Sequence, residues 1–430
     1  RGEFIALLNN DVAVAEGWLS AMLDCFNRGR DAGIVGPMTN KSSGIQKVTD
    51  ESYRSVDYLD QYAAKFKKRY RYRQIPCRNL ARFCMLFKRT LMEKIGLLDE
   101  CFGTGHFEDE DLCLKAALYD YRNYVAGDVF VHRLTGKESR GDEKIIKKKW
   151  ALSCQSETSK KLAILKATEL AYDLYSKGKL DQAIEALVDC IKITPDAKQI
   201  YYELARFFIE SKKFSEAWEV VGTMPEEAKN ALKGLEYSGY AKEGVGRDDE
   251  AAGYAERMLA MNETYAPALN LRGVLAYKQN DPKMAESWFR KAIEVEPGYG
   301  EVYTNLGVLN WSMDQKEVAL THLRKGFSLS PTIPDVSSLY FSVVSSLGIY
   351  GDAEVDFREA SKLYPNNKNI AILYIETLIQ QEKFSSAMIE IENALASFGL
   401  DEGSLKTALA VRDKIGLLSI KEGTKQNTLS

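Results

Sequence analysis

No run of about 18 apolar residues occurs in the chain, so no segment is built to cross a bilayer as a helix. Neither sign of charge is in excess. The 58 lysines and arginines face 61 aspartates and glutamates, a formal net charge of −3. That balance gives no reason to expect a nucleic-acid binder or a polybasic membrane protein. Cys25, Cys77, Cys84, Cys101, Cys113, Cys154 and Cys190 include no Cys-x-x-Cys pair. Odd in number and scattered, they read as reduced thiols of a cytosolic protein, not as a disulfide framework or a zinc site. A Gly-rich loop ending in Lys is absent, which argues against P-loop chemistry. The sequence also lacks an initiator methionine and a signal peptide, and it opens from Arg1 straight into an apolar run. It is therefore expected to be a fragment, with more chain upstream. The rest is globular in composition, 45% hydrophobic and 28% charged, with length for two or three domains.

Residues 1–150 mix short apolar runs with helical stretches. Phe4–Leu8, Gly33–Gly36, Ala81–Phe87 and Val129–His132 read as strands bounded by turn residues. Glu16–Asn27, Val56–Arg69, Thr90–Ile95 and Glu108–Tyr119 read as helices. The alternation predicts an α/β sheet with covered faces. From about residue 160 the strands stop. Ala183, Ala217, Ala251, Ala285, Ala319, Ala353 and Ala387 stand at intervals of 34 residues, and Pro195, Pro297, Pro331 and Pro365 each follow one of them by 12. Ala171, Ala205, Gly239, Gly273 and Gly307 hold a second phase of the same period. Small residues suit positions where two helices approach closely, and proline ends the second helix. This pattern resembles tetratricopeptide repeats over about 164–400, close to seven of them, with an irregular stretch at Pro225–Gly246. The resemblance implies an all-α solenoid that binds a protein partner. A linker helix is expected over 151–163, and a capping helix with a polar tail over 401–430.

Three features of the first half bear chemistry. Asn9-Asn10-Asp11 follows a strand directly, where open α/β sheets place ligands, although Asn and Asp also simply suit a turn. Glu108, Asp109, Glu110 and Asp111 open a helix behind a Gly-rich loop, Gly103–Gly105. Acids in a first turn complement the helix dipole. Four together also crowd one another and raise a pKa, which suits a general base. Helical spacing sets Glu108 and Asp111 on one face and Asp109 elsewhere. His132 is a lone histidine at a strand end, by default a satisfied residue and also an available metal ligand.

Taken together, Leu8–Asp11, Gly17-Trp18-Leu19, Gly33–Pro37, Gly96–Phe102, Phe107–Ala116 and Ala126–His132 resemble, in order, family-2 glycosyltransferases of the GT-A fold. The resemblance spans about 1–150 and implies the C-terminal part of a Rossmann-like GT-A sheet. It implies a metal-dependent, inverting transfer of a sugar from a nucleotide-sugar donor to a glycan, lipid-linked or protein acceptor. Asp11, with Asn9 or Asn10, would take the place of the Asp-x-Asp motif and hold Mg²⁺ or Mn²⁺ against the diphosphate. Asp109 would deprotonate the acceptor hydroxyl, Glu108 and Asp111 would shape the acceptor side, and His132 would complete the metal shell. Trp18 is expected in the core. The first acid of Asp-x-Asp is Asn here, and His132-Arg133 stands where many relatives carry two histidines. The family's base- and ribose-binding strands have no counterpart in the sequence, so the fragment alone is expected to be inactive. The alternative is a tetratricopeptide scaffold carrying a truncated or inactive transferase domain. Either protein is expected in the cytoplasm, free or peripheral at the inner face of the membrane.

The run Lys65–Arg73 interleaves basic and aromatic residues. It reads as a solvated helix face and not as an RNA or membrane site.

Overall fold

The computed structural model describes residues 2–28, 31–42, 44–48, 53, 55–96, 98, 107–135 and 157–398, the last from side chain 160 onward. Cys101, Cys154, the loop Gly103–Gly105 and the expected cap and tail over 401–430 lie outside these residues.

The first part is a six-stranded sheet: β1 (Phe4–Leu8), β2 (Val12–Val14), β3 (Ala32–Thr39), β4 (Gln74–Cys77), β5 (Cys84–Lys88) and β6 (Arg122–Arg133). The order is β1-β5-β3-β6-β2, with β4 also pairing β6. Among the described pairs β3 and β6 run parallel and the others antiparallel. Strand alternation divides the apolar residues between two faces. Ile34, Met85 and Phe87 pack under α2 (Leu59–Tyr70), α3 (Arg89–Ile95) and α4 (Glu108–Leu118). Val35, Cys84 and Leu86 pack under α1 (Trp18–Arg28), where Trp18 covers the same cluster. Two strands were not expected, and each has a physical reason. β2 is three residues long, and β4 contains Pro76, which an edge strand tolerates because no ladder donor is needed there. Phe4–Leu8 reads as a buried central strand, but in this chain β1 lies at an edge and Leu8 is 45% exposed.

The second part is helical: α5 (Glu157–Ser176), α6 (Leu180–Ile193), α7 (Lys198–Glu210), α8 (Phe214–Thr223), α9 (Glu226–Asn230), α10 (Leu232–Gly244), α11 (Asp248–Met261), α12 (Ala266–Lys278), α13 (Pro282–Val295), α14 (Gly300–Ser312), α15 (Lys316–Leu329), α16 (Pro334–Leu347), α17 (Gly351–Leu363), α18 (Lys368–Gln380) and α19 (Phe384–Phe398). Apart from short α9 they form antiparallel pairs; the stretch expected to be irregular departs only there, since its remainder is α10, an ordinary first helix. From Glu157 on, the expected linker and the first repeat helix are one continuous helix. All seven alanines of the 34-residue series have no exposed surface. The turn inside each pair carries a left-handed residue at the same period: Gly178, Lys212, Gly246, Asn280, Asp314, Gly348 and Glu382, with φ between 58° and 77°. The first helix of every pair packs on the first helix of the next, whereas second helices of successive pairs do not pack closely on each other. First helices therefore line the inner, concave side.

The sheet unit sits against the solenoid on α5, at the start of α7 and on α17. Arg69 reaches Asp356 and Glu359 at 3.3 Å, Arg78 reaches Glu169 at 3.0 Å, and Gln199 donates to Asp120 at 3.2 Å. Leu363 and Tyr364 pack on the α2 face of the sheet core, and Leu162 and Leu165 pack on Leu114 and Leu118 of α4. The solenoid also meets itself. Asn366 donates to Asp173 at 3.3 Å, and Lys212 pairs with Asp335 at 3.1 Å.

Candidate functional site

The sequence-predicted acids gather at one end of the sheet. The Asn9 amide donates to the Phe83 carbonyl at 2.9 Å, which ties the end of β1 to the segment before β5. Asp11 lies in the turn from β1 to β2, and exposed Asn10 precedes it. Its Oδ2 accepts from Thr135 Oγ1 at 2.5 Å and Arg133 Nε at 3.3 Å, while its buried Oδ1 has no hydrogen-bond partner. Burial pushes the Asp11 carboxyl upward, but the Thr135 hydrogen bond and the Arg133 guanidinium outweigh it and hold the group below its usual range.

On the other side of the same segment, Asp109 Oδ2 accepts the Arg82 amide at 3.2 Å and Oδ1 the Glu110 amide at 2.9 Å. Glu108 pairs with the Arg82 guanidinium. Burial, and to a lesser degree Glu108, raises the Asp109 carboxyl above its usual range. Asp111 is 1% exposed and pairs with Lys115 at 2.9 Å, a structural ion pair within α4. Asn9, Asp11, Glu108 and Asp109 thus flank Arg82-Phe83, and Asp111 turns inward away from them.

His132 does not join them. Successive side chains of β6 point to opposite faces, so Arg133 faces Asp11 and His132 faces away. Asn40 fixes the imidazole. Its Oδ1 accepts the Arg133 amide at 2.7 Å, so its Nδ2 is the group that donates to His132 Nδ1 at 3.2 Å. Tyr53 Oη adds a second contact to Nδ1 at 2.8 Å. Nδ1 is therefore engaged by two side chains that hold the ring in place. Burial, with Lys41 nearby, lowers the pKa of His132 and keeps the ring neutral. The ring faces away from Asp11, and Asp11 already meets a guanidinium. A site made of Asp11 and His132 does not fit this arrangement. Among the described residues no group of three or more His, Cys, Asp or Glu could hold an ion.

The inner side of the solenoid carries a second constellation, which the 34-residue spacing did not reveal. Tyr240 of α10 receives Asn270 of α12 at 2.9 Å, and Asn270 receives Asn305 of α14 at 2.8 Å. Tyr299 lies 3.3 Å from both the Tyr240 hydroxyl and Glu301. Glu236 accepts from Lys233 at 2.7 Å and Tyr265 at 2.5 Å, and Arg206 of α7 bonds Glu203 and Glu210 at 2.9 and 2.6 Å. Burial, followed by the neighbouring Glu210 and Glu236, pushes the Glu301 carboxyl up to about 7. Side chains from four successive first helices thus form one polar, aromatic strip. Its signal in the sequence was the recurrence of polar residues at helix positions that would be apolar in an ordinary core.

Residues 174–236 match a tetratricopeptide repeat family model, and 266–299 and 300–333 match a second such model. The helical part of the chain carries tetratricopeptide repeats. Similar solved structures include a thermophilic TPR protein of Thermus thermophilus, 22% identical over 42% of this chain and 98% of that one, with a TM-score of 0.36. They also include yeast Tom70, 15% identical over 75% and 64% of the two chains, with a TM-score of 0.48. No curated protein matches. Both matched family models lie wholly within the solenoid, and repeats of this kind suggest protein partner binding. Cys25, Cys77, Cys84, Cys113 and Cys190 are free thiols. No helix among the described residues is long and apolar enough to cross a membrane.

Proposed function

We propose that this chain is a protein-interaction scaffold whose tetratricopeptide solenoid takes an extended segment of a partner protein along its inner side. The observation that carries this reading is the strip Arg206–Lys233–Glu236–Tyr240–Asn270–Glu301 on successive first helices. Amides, hydroxyls and charged groups of both signs at regular spacing suit the repeating donors and acceptors of a peptide backbone, and the tyrosines suit its side chains. The experiment is peptide-display selection on the purified chain, repeated with Asn270→Ala and with Tyr240→Phe. Enriched peptides should bind the chain and lose affinity in both variants. Failure to enrich any peptide, or peptides indifferent to both substitutions, would refute the reading.

A second reading has its own observation. Asp11 and Asp109 flank one end of the sheet, and the Asp109 carboxyl is raised toward the range useful to a base. On that reading the unit is an inverting glycosyltransferase. Asp109 takes the proton of an acceptor hydroxyl while its oxygen attacks the anomeric carbon and the bond to the departing diphosphate breaks. Asn9, Asn10 and Asp11 face the nucleotide-sugar donor, Glu108 orients Arg82, and no step is assigned to a divalent ion. A panel of nucleotide sugars tests it. Transfer from one donor, lost in Asp109→Asn with donor binding retained, supports the assignment; an unimpaired Asp109→Asn removes it.

A further inference from the structure

The basic and aromatic run Lys65–Arg73 keeps its lysines exposed, yet it is more than a solvated helix face. It forms one wall of a cleft of about 840 Å³ between the sheet unit and the solenoid. Lys65, Lys68, Arg69 and Arg73 stand on this wall, Arg324 and Lys325 of α15 stand opposite, and Asp352, Asp356 and Glu359 of α17 close one side. The volume lies in the range of small-molecule sites. Six cations against three carboxylates make the cleft an island of positive charge in a chain whose net charge is −3.

The three carboxylates are already engaged. Asp356 accepts from Arg324 Nε at 2.6 Å, Tyr340 Oη at 2.9 Å and Arg69 at 3.3 Å. Asp352 takes Arg324 Nη1 at 2.5 Å, and Glu359 takes Tyr70 Oη and Arg69. Four cations are left without a carboxylate at ion-pair distance among the described residues: Lys65, Lys68, Arg73 and Lys325. Arg73 is 8% exposed, and its buried Nε has no hydrogen-bond partner. Lys325 donates only to the Arg71 carbonyl, and burial pushes its amine down to about 8. Burying a cation without a counter-charge is costly, and charge-assisted hydrogen bonds to phosphate oxygens would relieve that cost. Leu320, Phe327 and Pro331 supply an apolar wall beside the cations.

We propose that this cleft is a binding site for a phosphate ester carrying at least two negative charges, held by Lys65, Lys68, Arg73 and Lys325. The doubly charged phosphate group could belong to a free metabolite or to a lipid headgroup, and the test separates the two. Titration calorimetry on the full chain uses inorganic pyrophosphate at about 0.15 M salt, where unspecific surface attraction is screened. Sedimentation with phosphatidylcholine vesicles, with and without phosphatidic acid, follows in the same buffer. The variant is Lys65→Ala/Lys68→Ala, because both side chains are exposed and outside the core. The expected result is pyrophosphate binding at one site, at least about tenfold weaker in the double variant. Vesicle binding that requires phosphatidic acid and is lost in the variant would assign the ligand to a lipid headgroup. Pyrophosphate binding without vesicle binding would assign it to a soluble phosphate ester. Absence of both, or equal affinity in wild type and double variant, would overturn the proposal.

Discussion

Gly273→Ala tests whether contact between helices dictates the small positions of the repeat. On an exposed helix this exchange stabilises by about 1 kcal/mol, because alanine is the better helix former. At position 273 the added Cβ would lie 2.4 Å from Phe289 Cε1 and 2.5 Å from Cδ1. Phe289 is 2% exposed and enclosed by Leu269, Ala285, Ala292, Val302 and Leu306, so its ring has nowhere to turn. Overpacking of this kind costs about 1–3 kcal/mol, which leaves a net loss of about 0–2 kcal/mol after the propensity gain. Gly253 of α11 is the control, since a Cβ there would meet nothing within 4 Å. Gly253→Ala should therefore stabilise by about 0.5–1 kcal/mol. Urea unfolding followed by circular dichroism should place Gly273→Ala below Gly253→Ala by about 0.5–3 kcal/mol. If Gly273→Ala proved as stable as Gly253→Ala, close helix approach would not be the reason for glycine at that phase.

Glu301→Gln should abolish a pH dependence of stability. Its carboxyl is raised from 4.5 to about 7, so the folded protein keeps a proton that the unfolded chain releases, and stability falls as pH rises from about 4.5 to about 7. The full displacement corresponds to about 3 kcal/mol, and partial solvent screening brings the expected effect to about 1–2 kcal/mol; equal pH profiles for wild type and variant would contradict it. Glu382 adopts φ of 58° in its turn, so Glu382→Gly should raise the unfolding midpoint by roughly 1 kcal/mol of stability, and a lowered midpoint would count against the strain argument. Asp356→Ala removes the common acceptor of Arg324, Arg69 and Tyr340 and should cost about 2–4 kcal/mol, read from the thermal transition of the full chain. Cys25, Cys84 and Cys113 are at most 1% exposed, so iodoacetamide should label them only on unfolding. Modification of the native chain at any of the three would show that its cover opens.

The repeat architecture was legible because its cause is local and periodic. Ala251, Ala285 and Ala319 each sit in the same tight contact, and a 34-residue spacing records that contact directly. The α/β character and four of the strands were legible for the same reason. The failures share a different cause. In the run Lys65–Arg73 the lysines are exposed as read, but the contacts of Arg69 with Asp356 and of Arg71 with Lys325 span more than 250 residues and leave no local signal. At His132-Arg133, strand alternation lets only one of the two face Asp11, and the sequence alone does not say which. Arg133 as the counter-charge of Asp11 was not legible, because it depends on the pairing of β2 with β6.

A stack of repeats can ordinarily gain or lose a unit, because each touches only its neighbours. The contacts of Asn366 with Asp173 and of Lys212 with Asp335 restrict that freedom. One duplicated repeat anywhere between α8 and α16 would rotate the far end past both partners and carry Asp356 and Glu359 off Arg69. Those exposed contacts, together with the seating of Arg69, therefore favour one repeat number between the two points.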